Sequence, residues 1–156
     1  MKVYFLRHGE ADWPHWDKPD DERPLTRKGK KEMRKVAKFL ADTEVAPAAI
    51  LTSPLPRALQ TAEIAAKALD LDVTEEPSLA PGFDAEKLST LLLAHATKDI
   101  MLVGHEPDFS TVISVLTGGS VKLAKAGVAR VDIEAGMKGQ LIWLIPPKIA
   151  TSKQNS

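Results

Sequence analysis

Two of the four histidines in this 156-residue chain sit where chemistry can be done. The stretch VYFLRHGEAD runs four apolar residues straight into Arg7, His8 and Gly9. IMLVGHEPD repeats the pattern, ending an apolar run on Gly104 and His105. A third stretch, ILTSPLPRALQTA, puts Arg57 in the first turn of the helix after another apolar run. A buried strand has no use for cationic or titratable side chains at its last position. A binding site has, because open α/β sheets collect ligands at the carboxyl ends of their strands. Two guanidiniums beside a helix N-terminus suit a tetrahedral anion, of which phosphate is the commonest in biology. Glycines at 9 and 104 let the backbone turn and approach such an anion. With no cysteine in the chain, His8 is the candidate nucleophile. An imidazole with an ordinary pKa of about 6.5 is neutral and able to attack near pH 7, and neighbouring arginines lower that pKa. His105 and the arginines would then hold the phosphoryl oxygens and offset charge that develops in the transition state.

The elements that must position these groups alternate. Residues 2–6, 48–53 and 100–103 read as buried strands, and 72–76 as a weak edge strand. Thr26 is the expected N-cap of a helix to about Asp42, with Met33, Val36, Ala37 and Leu40 inside. Pro54 is expected to open a helix to about Leu69, with Leu55, Leu59, Ala62 and Ala66 inside. Residues 84–96 and 107–116 read as further helices, and 127–145 as a hairpin. Residues 11–25 are a polar loop holding Trp13 and Trp16, either a lid packed on itself or an anchor for a partner. The order β-α-β-α-β-α-β-α-β-β predicts one three-layer α/β domain. Its sheet is open and mostly parallel, with helices on both faces and a C-terminal antiparallel hairpin.

Composition excludes several classes. Lys plus Arg and Asp plus Glu are 21 each, so the formal charge is zero. That argues against a nucleic-acid or anionic-membrane binder, and KGKKEMRK (28–35) reads as a solvated helix face. No apolar run approaches the roughly 20 residues of a membrane span, and the N-terminus is too short for a signal peptide. The expectation is a soluble cytoplasmic protein. Asp12 or Asp84 could join the histidines around a metal, but metal-ligand spacing is lacking and two arginines would repel a cation. No metal or cofactor is expected. His15 and His95 read as surface residues, and Glu10 and Glu106 as supporting or surface groups.

The segments LRHGEAD, RPLTRKG, SPLPRALQTAEI, LVGHEPDF, KAGVARVDI and GQLIWLIPPK, in that order, resemble the histidine phosphatase superfamily, the phosphoglycerate mutase-like fold. Within it they resemble the short SixA-type phosphohistidine phosphatases. The resemblance covers residues 3 to about 148 and implies one domain over 1–148, with a polar tail at 149–156. It implies His8 as nucleophile, Arg7, Arg57 and His105 as phosphate ligands, and Arg23 as a further group facing the phosphate. Larger members insert a substrate cap and a catalytic acid where EEPSLAPGFDAEKL (75–88) leaves no room for a cap. Asp84, Glu76 and Glu106 are the candidate acids, none with a clear match. A phosphohistidine can leave as neutral imidazole and tolerates that lack, whereas an alkoxide must be protonated in flight. The resemblance therefore implies a metal-independent phosphatase that removes phosphate from a protein phosphohistidine, on a histidine phosphotransfer domain or a phosphocarrier. A phosphatase of small phosphate esters, and a non-catalytic phosphate-binding module, are the alternatives.

Overall fold

The computed structural model describes residues 1–96 and 98–152. Six strands form one sheet: β1 (Lys2–Arg7), β2 (Ala49–Thr52), β3 (Val73–Glu75), β4 (Ile100–Gly104), β5 (Val128–Glu134) and β6 (Lys138–Ile145). Their spatial order is β3-β2-β4-β1-β5-β6. The first four are mutually parallel, β5 runs antiparallel to β1, and β6 antiparallel to β5. Alternation along β1 sends Val3 and Phe5 into one core and Tyr4 and Leu6 into the other. Ile100 and Leu102 of β4 divide from Met101 and Val103 in the same way. Both central strands are thus buried on both faces, which is why they read as unbroken apolar runs.

The helices sort by face. α1 (Arg27–Ala41) and α2 (Pro56–Leu69) cover the Tyr4 face, and α3 (Ala85–Ala94) and α4 (Asp108–Thr117) the Phe5 face. The chain leaves β1 toward the β3 edge over one face and leaves β4 toward β5 over the other. The carboxyl ends of β1 and β4, which are direct neighbours, therefore lie at the switch in strand order. Residues 76–84, including a 3-10 turn at Pro77–Leu79, lead from β3 to α3 with no capping insertion.

α1 begins at the predicted cap, with Thr26 Oγ1 accepting from the Gly29 amide at 3.0 Å. α2 does not begin at Pro54. Leu55 precedes Pro56 and is held extended (φ −65°, ψ 138°), so the helix starts at Pro56. Its inner face is also rotated from the predicted one: Arg57, Ala58, Thr61, Ala62, Ala65 and Ala66 are buried, whereas Leu55 and Leu59 are half-buried. Small residues let α2 lie close to the sheet and to α1 beside it. After β6 the chain forms a short α5 (Pro147–Ala150), which packs Ala150 into the Tyr4-side core. The predicted tail over 149–156 thus includes one packed residue, and 153–156 lie outside the described residues.

Gly29 locks α1 against the loop that leaves β1. A Cβ on it would stand 2.1 Å from the main-chain oxygen of Glu10. Helix propensity alone would reward Gly→Ala by nearly 1 kcal/mol. Here backbone meets backbone, so neither side yields cheaply. Gly29→Ala is expected to destabilise by about 3 kcal/mol, at the upper end for overpacking. Urea unfolding measures it as a lower midpoint at unchanged slope. A midpoint equal to or above wild type would show that the loop shifts freely.

Candidate active site

β1 delivers His8 one residue past its end, and hydrogen bonds on both sides hold it there. The His8 amide donates to Gly104 O at 3.0 Å, and its carbonyl accepts from the Ala126 amide at 3.0 Å. The Gly9 amide donates to Thr61 Oγ1 at 3.0 Å, and that hydroxyl donates to Arg57 O at 2.7 Å. One threonine thus ties the turn after β1 to the first turn of α2. Space at Gly9 is tight, since a Cβ there would meet Leu25 Cδ2 at 3.2 Å. The His8 Nδ1 lies 2.7 Å from Gly9 O. A carbonyl only accepts, so Nδ1 carries the hydrogen and Nε2 carries the free lone pair.

β4 delivers His105, whose ring centroid lies 5.4 Å from that of His8. His8, Arg57 and His105 are 8%, 6% and 4% exposed, so three groups able to carry charge are withdrawn from water together. Burial pushes His8 down to about 3, assisted by His105, Arg57 and Arg7 and opposed by the Gly9 carbonyl. Burial and then Arg57 and Arg7 push His105 down to about 4. Both rings are neutral at pH 7. Burial also lowers the arginines, Arg7 against the pull of Glu106 and Asp12 and Arg57 together with Arg23. Arg7 Nη1 donates to Leu123 O at 3.1 Å and Arg57 Nη1 to Asp20 O at 3.0 Å. Arg7 Nε, Arg57 Nε and His105 Nδ1 are buried without a partner among the described residues. Buried polar groups of a fold are ordinarily paired. The three left over here lie on two arginines and a histidine near the ends of β1 and β4, groups of the kind that bind oxyanions.

The structure brings Arg7, His8, Arg57 and His105 together. Arg23 stands close enough to depress Arg57, with two of its nitrogens engaged by the loop. Nε meets Asp20 Oδ1 at 2.8 Å and Nη1 meets Ala11 O at 2.5 Å. Of the candidate acids, Glu76 caps the 3-10 turn through the Ser78 amide at 3.3 Å. Asp84 caps α3 through the Lys87 amide at 2.9 Å. Glu106 caps the start of α4 through the Ser110 amide at 2.7 Å and also bonds the Ser110 hydroxyl. Asp12 pairs with Lys125, and no group of three or more His, Asp or Glu side chains among the described residues is placed to hold a metal ion. Trp13 and Trp16 pack on their own loop, donating to Pro24 O and Pro19 O at 2.8 and 3.0 Å. Their rings lie 6.2 Å apart. Ser53 and Thr61, both fully buried, are site residues that sequence reasoning did not single out. Both lie in the motif that carries Arg57, where a hydroxyl gives no periodic signal.

An α/β sheet without a capping insertion that sets two neutral histidines, the buried Arg57 and the half-buried Arg7 at its switch point is the arrangement expected of the histidine phosphatase class. Residues 3–81 match the histidine phosphatase superfamily (branch 1), and the chain belongs to that superfamily. It is 29% identical to the phosphohistidine phosphatase SixA of Escherichia coli K12, over 94% of each chain. A solved structure of the protein histidine phosphatase SixA complexed with tungstate superposes with a TM-score of 0.85 at 28% identity, covering 94% of this chain and 97% of that one. A phosphoserine phosphatase of Entamoeba histolytica shares the fold at a TM-score of 0.75, 20% identity, and coverage of 94% of this chain and 98% of that one. No helix among the described residues is long and apolar enough to cross a membrane.

Proposed function

We propose that the chain is a metal-independent phosphohistidine phosphatase that acts on phosphorylated proteins through a covalent phosphohistidine at His8. The observation that carries this reading is an uncapped site whose three candidate acids are all committed to caps. Likeness to SixA over nearly the full length of both chains supports it. Histidine phosphotransfer domains and phosphocarriers are the substrate classes, since the short connection over residues 76–84 adds no cap that would keep a protein-borne histidine away. Arg7, Arg57 and His105 hold the phosphoryl oxygens while His8 Nε2 attacks phosphorus. The P–N bond of the substrate breaks, and its imidazole, already protonated on the other nitrogen, leaves neutral. Gly9 O keeps the hydrogen on His8 Nδ1, so the phosphorylated His8 ring is itself cationic. Water then attacks phosphorus, the His8 N–P bond breaks, and His8 leaves as neutral imidazole. The water's proton passes to the phosphate product or to solvent.

Rates across aryl and alkyl phosphates, phosphoramidate and a phosphorylated histidine phosphotransfer domain test the reading. They are expected to fall steeply as the leaving group becomes more basic, with the protonated phosphoimidazole fastest and full activity retained under exhaustive chelation. A placed general acid would flatten the series. A flat series, made steep by Glu106→Gln, Asp84→Asn or Glu76→Gln, would replace this reading with a small-ester phosphatase. Activity lost on chelation and restored by one divalent ion would remove the metal-independent mechanism.

A further inference from the structure

We propose that Ser53 sets the tautomer of His105, holding its hydrogen on Nδ1 so that the ring meets the phosphoryl group as a neutral hydrogen-bond donor. Ser53 is the residue after β2, beside β4 in the sheet, and its amide donates to Val103 O at 3.0 Å. Its hydroxyl is fully buried, and His105 Nε2 lies 2.7 Å from it. The same oxygen accepts from the Leu55 amide at 3.2 Å. Among the described residues the hydroxyl hydrogen has one acceptor within reach, the lone pair of His105 Nε2. If Nε2 were protonated, two hydrogens would point at each other or the hydroxyl hydrogen would be buried unpaired, and Nδ1 would offer a bound oxyanion a lone pair in place of a hydrogen. Ser53 therefore donates and Nε2 accepts, and the hydrogen of the neutral ring lies on Nδ1. That nitrogen is, among the described residues, one of three buried side-chain polar atoms without a protein partner, in company with the Nε atoms of Arg7 and Arg57.

The two histidines thus share one tautomer for opposite ends. In His8 a carbonyl holds the hydrogen on Nδ1 and frees Nε2 to attack. In His105 a hydroxyl occupies Nε2 and frees the Nδ1 hydrogen for the anion. Donation to Nε2 also favours the neutral ring, since protonation there would cost the Ser53 bond. Ser53 is a positioning residue: it acts on the phosphoryl group through His105. The kinetic arm of its test rests on the proposed phosphatase activity, whereas the tautomer is read without substrate.

Nitrogen-15 NMR of the substrate-free wild type near pH 7 should find His105 Nδ1 protonated and Nε2 with the shift of an unprotonated nitrogen. In Ser53→Ala the tautomers should mix and the ring should titrate at higher pH, by about one unit. Turnover of phosphoramidate should fall by about tenfold or more, mainly in kcat, as for a weakened oxyanion donor. Ser53→Thr should recover the tautomer and much of the rate. A wild-type ring protonated on Nε2 would overturn the proposal whether or not the variants fold. So would a Ser53→Ala ring that keeps the Nδ1 tautomer. The expected tautomer in an enzyme inert toward phosphoramidates would remove the proposed function and leave the Ser53 assignment standing.

Discussion

His8→Ala is expected to lower turnover of a phosphohistidine substrate by about 10⁴-fold or more, the order of loss when a covalent nucleophile is deleted. The side chain is buried, and its one hydrogen bond among the described residues is to the adjacent Gly9 carbonyl. Little of the fold hangs on it, so the circular dichroism spectrum and unfolding midpoint should stay close to wild type. Rapid quench of the wild type with labelled substrate should trap phosphate on His8 in acid-labile, base-stable form. The pH profile carries a second signature. Burial holds the ring down to about 3, so it stays neutral as pH falls through the ordinary histidine value of about 6.5. The acid limb of kcat/KM that belongs to the nucleophile should therefore lie well below 6.5. The sign for stability is opposite. Both site histidines stay neutral in the folded protein, whereas in the unfolded chain they gain protons below about 6.5. Their burial therefore costs stability progressively as pH falls from about 6.5 toward 4 and 3. A folded His8→Ala variant with most of its turnover would show that the nucleophile lies elsewhere.

Arg57→Ala is expected to cost about 10² to 10³ in kcat/KM, or roughly 3–4 kcal/mol, the range for removing one donor from a developing oxyanion. Arg57 is placed to act in the transition state more than in the fold. Its Nη1 is tethered to Asp20 O at 3.0 Å and its Nη2 lies 3.6 Å from the Asp20 carboxylate, while Nε is buried without a partner among the described residues. A cation buried with incomplete pairing is not a source of stability, so the unfolding midpoint should change little. Arg57→Lys should recover only part of the loss, because an ammonium keeps the charge without the planar fork. Unfolding of Arg57→Ala with near-normal kinetics in the residual folded fraction would mark the Asp20 contact as a structural bridge instead.

Much of the framework was legible because its signals are local and periodic. Unbroken apolar runs bounded by Gly identify β1 and β4, which are buried on both faces. Thr26 marks the start of α1 through a side-chain bond that spans three residues. Arg7, His8, Arg57 and His105 stood out because charge at the end of an apolar run conflicts with burial unless a site explains it. Other features depend on contacts between distant segments. The face of α2 could not be read by hydrophobicity, because its alanines and Thr61 are buried by close approach to the sheet and α1, while Leu59 is left half-exposed. Gly29 looks like a weak helix residue until Glu10 O is found against it. Glu76, Asp84 and Glu106 remain interchangeable as candidate acids in the sequence, and only the folded chain commits each to a cap. By itself the sequence determined the strand ends, the chemical groups on them and the superfamily, since residue type and order are enough for these. The tautomers of His8 and His105 were decided only by tertiary structure. A hydrogen on one ring nitrogen or the other depends on which acceptor or donor lies within 3 Å, and that neighbour is the adjacent Gly9 carbonyl in one case and Ser53, 52 residues away, in the other.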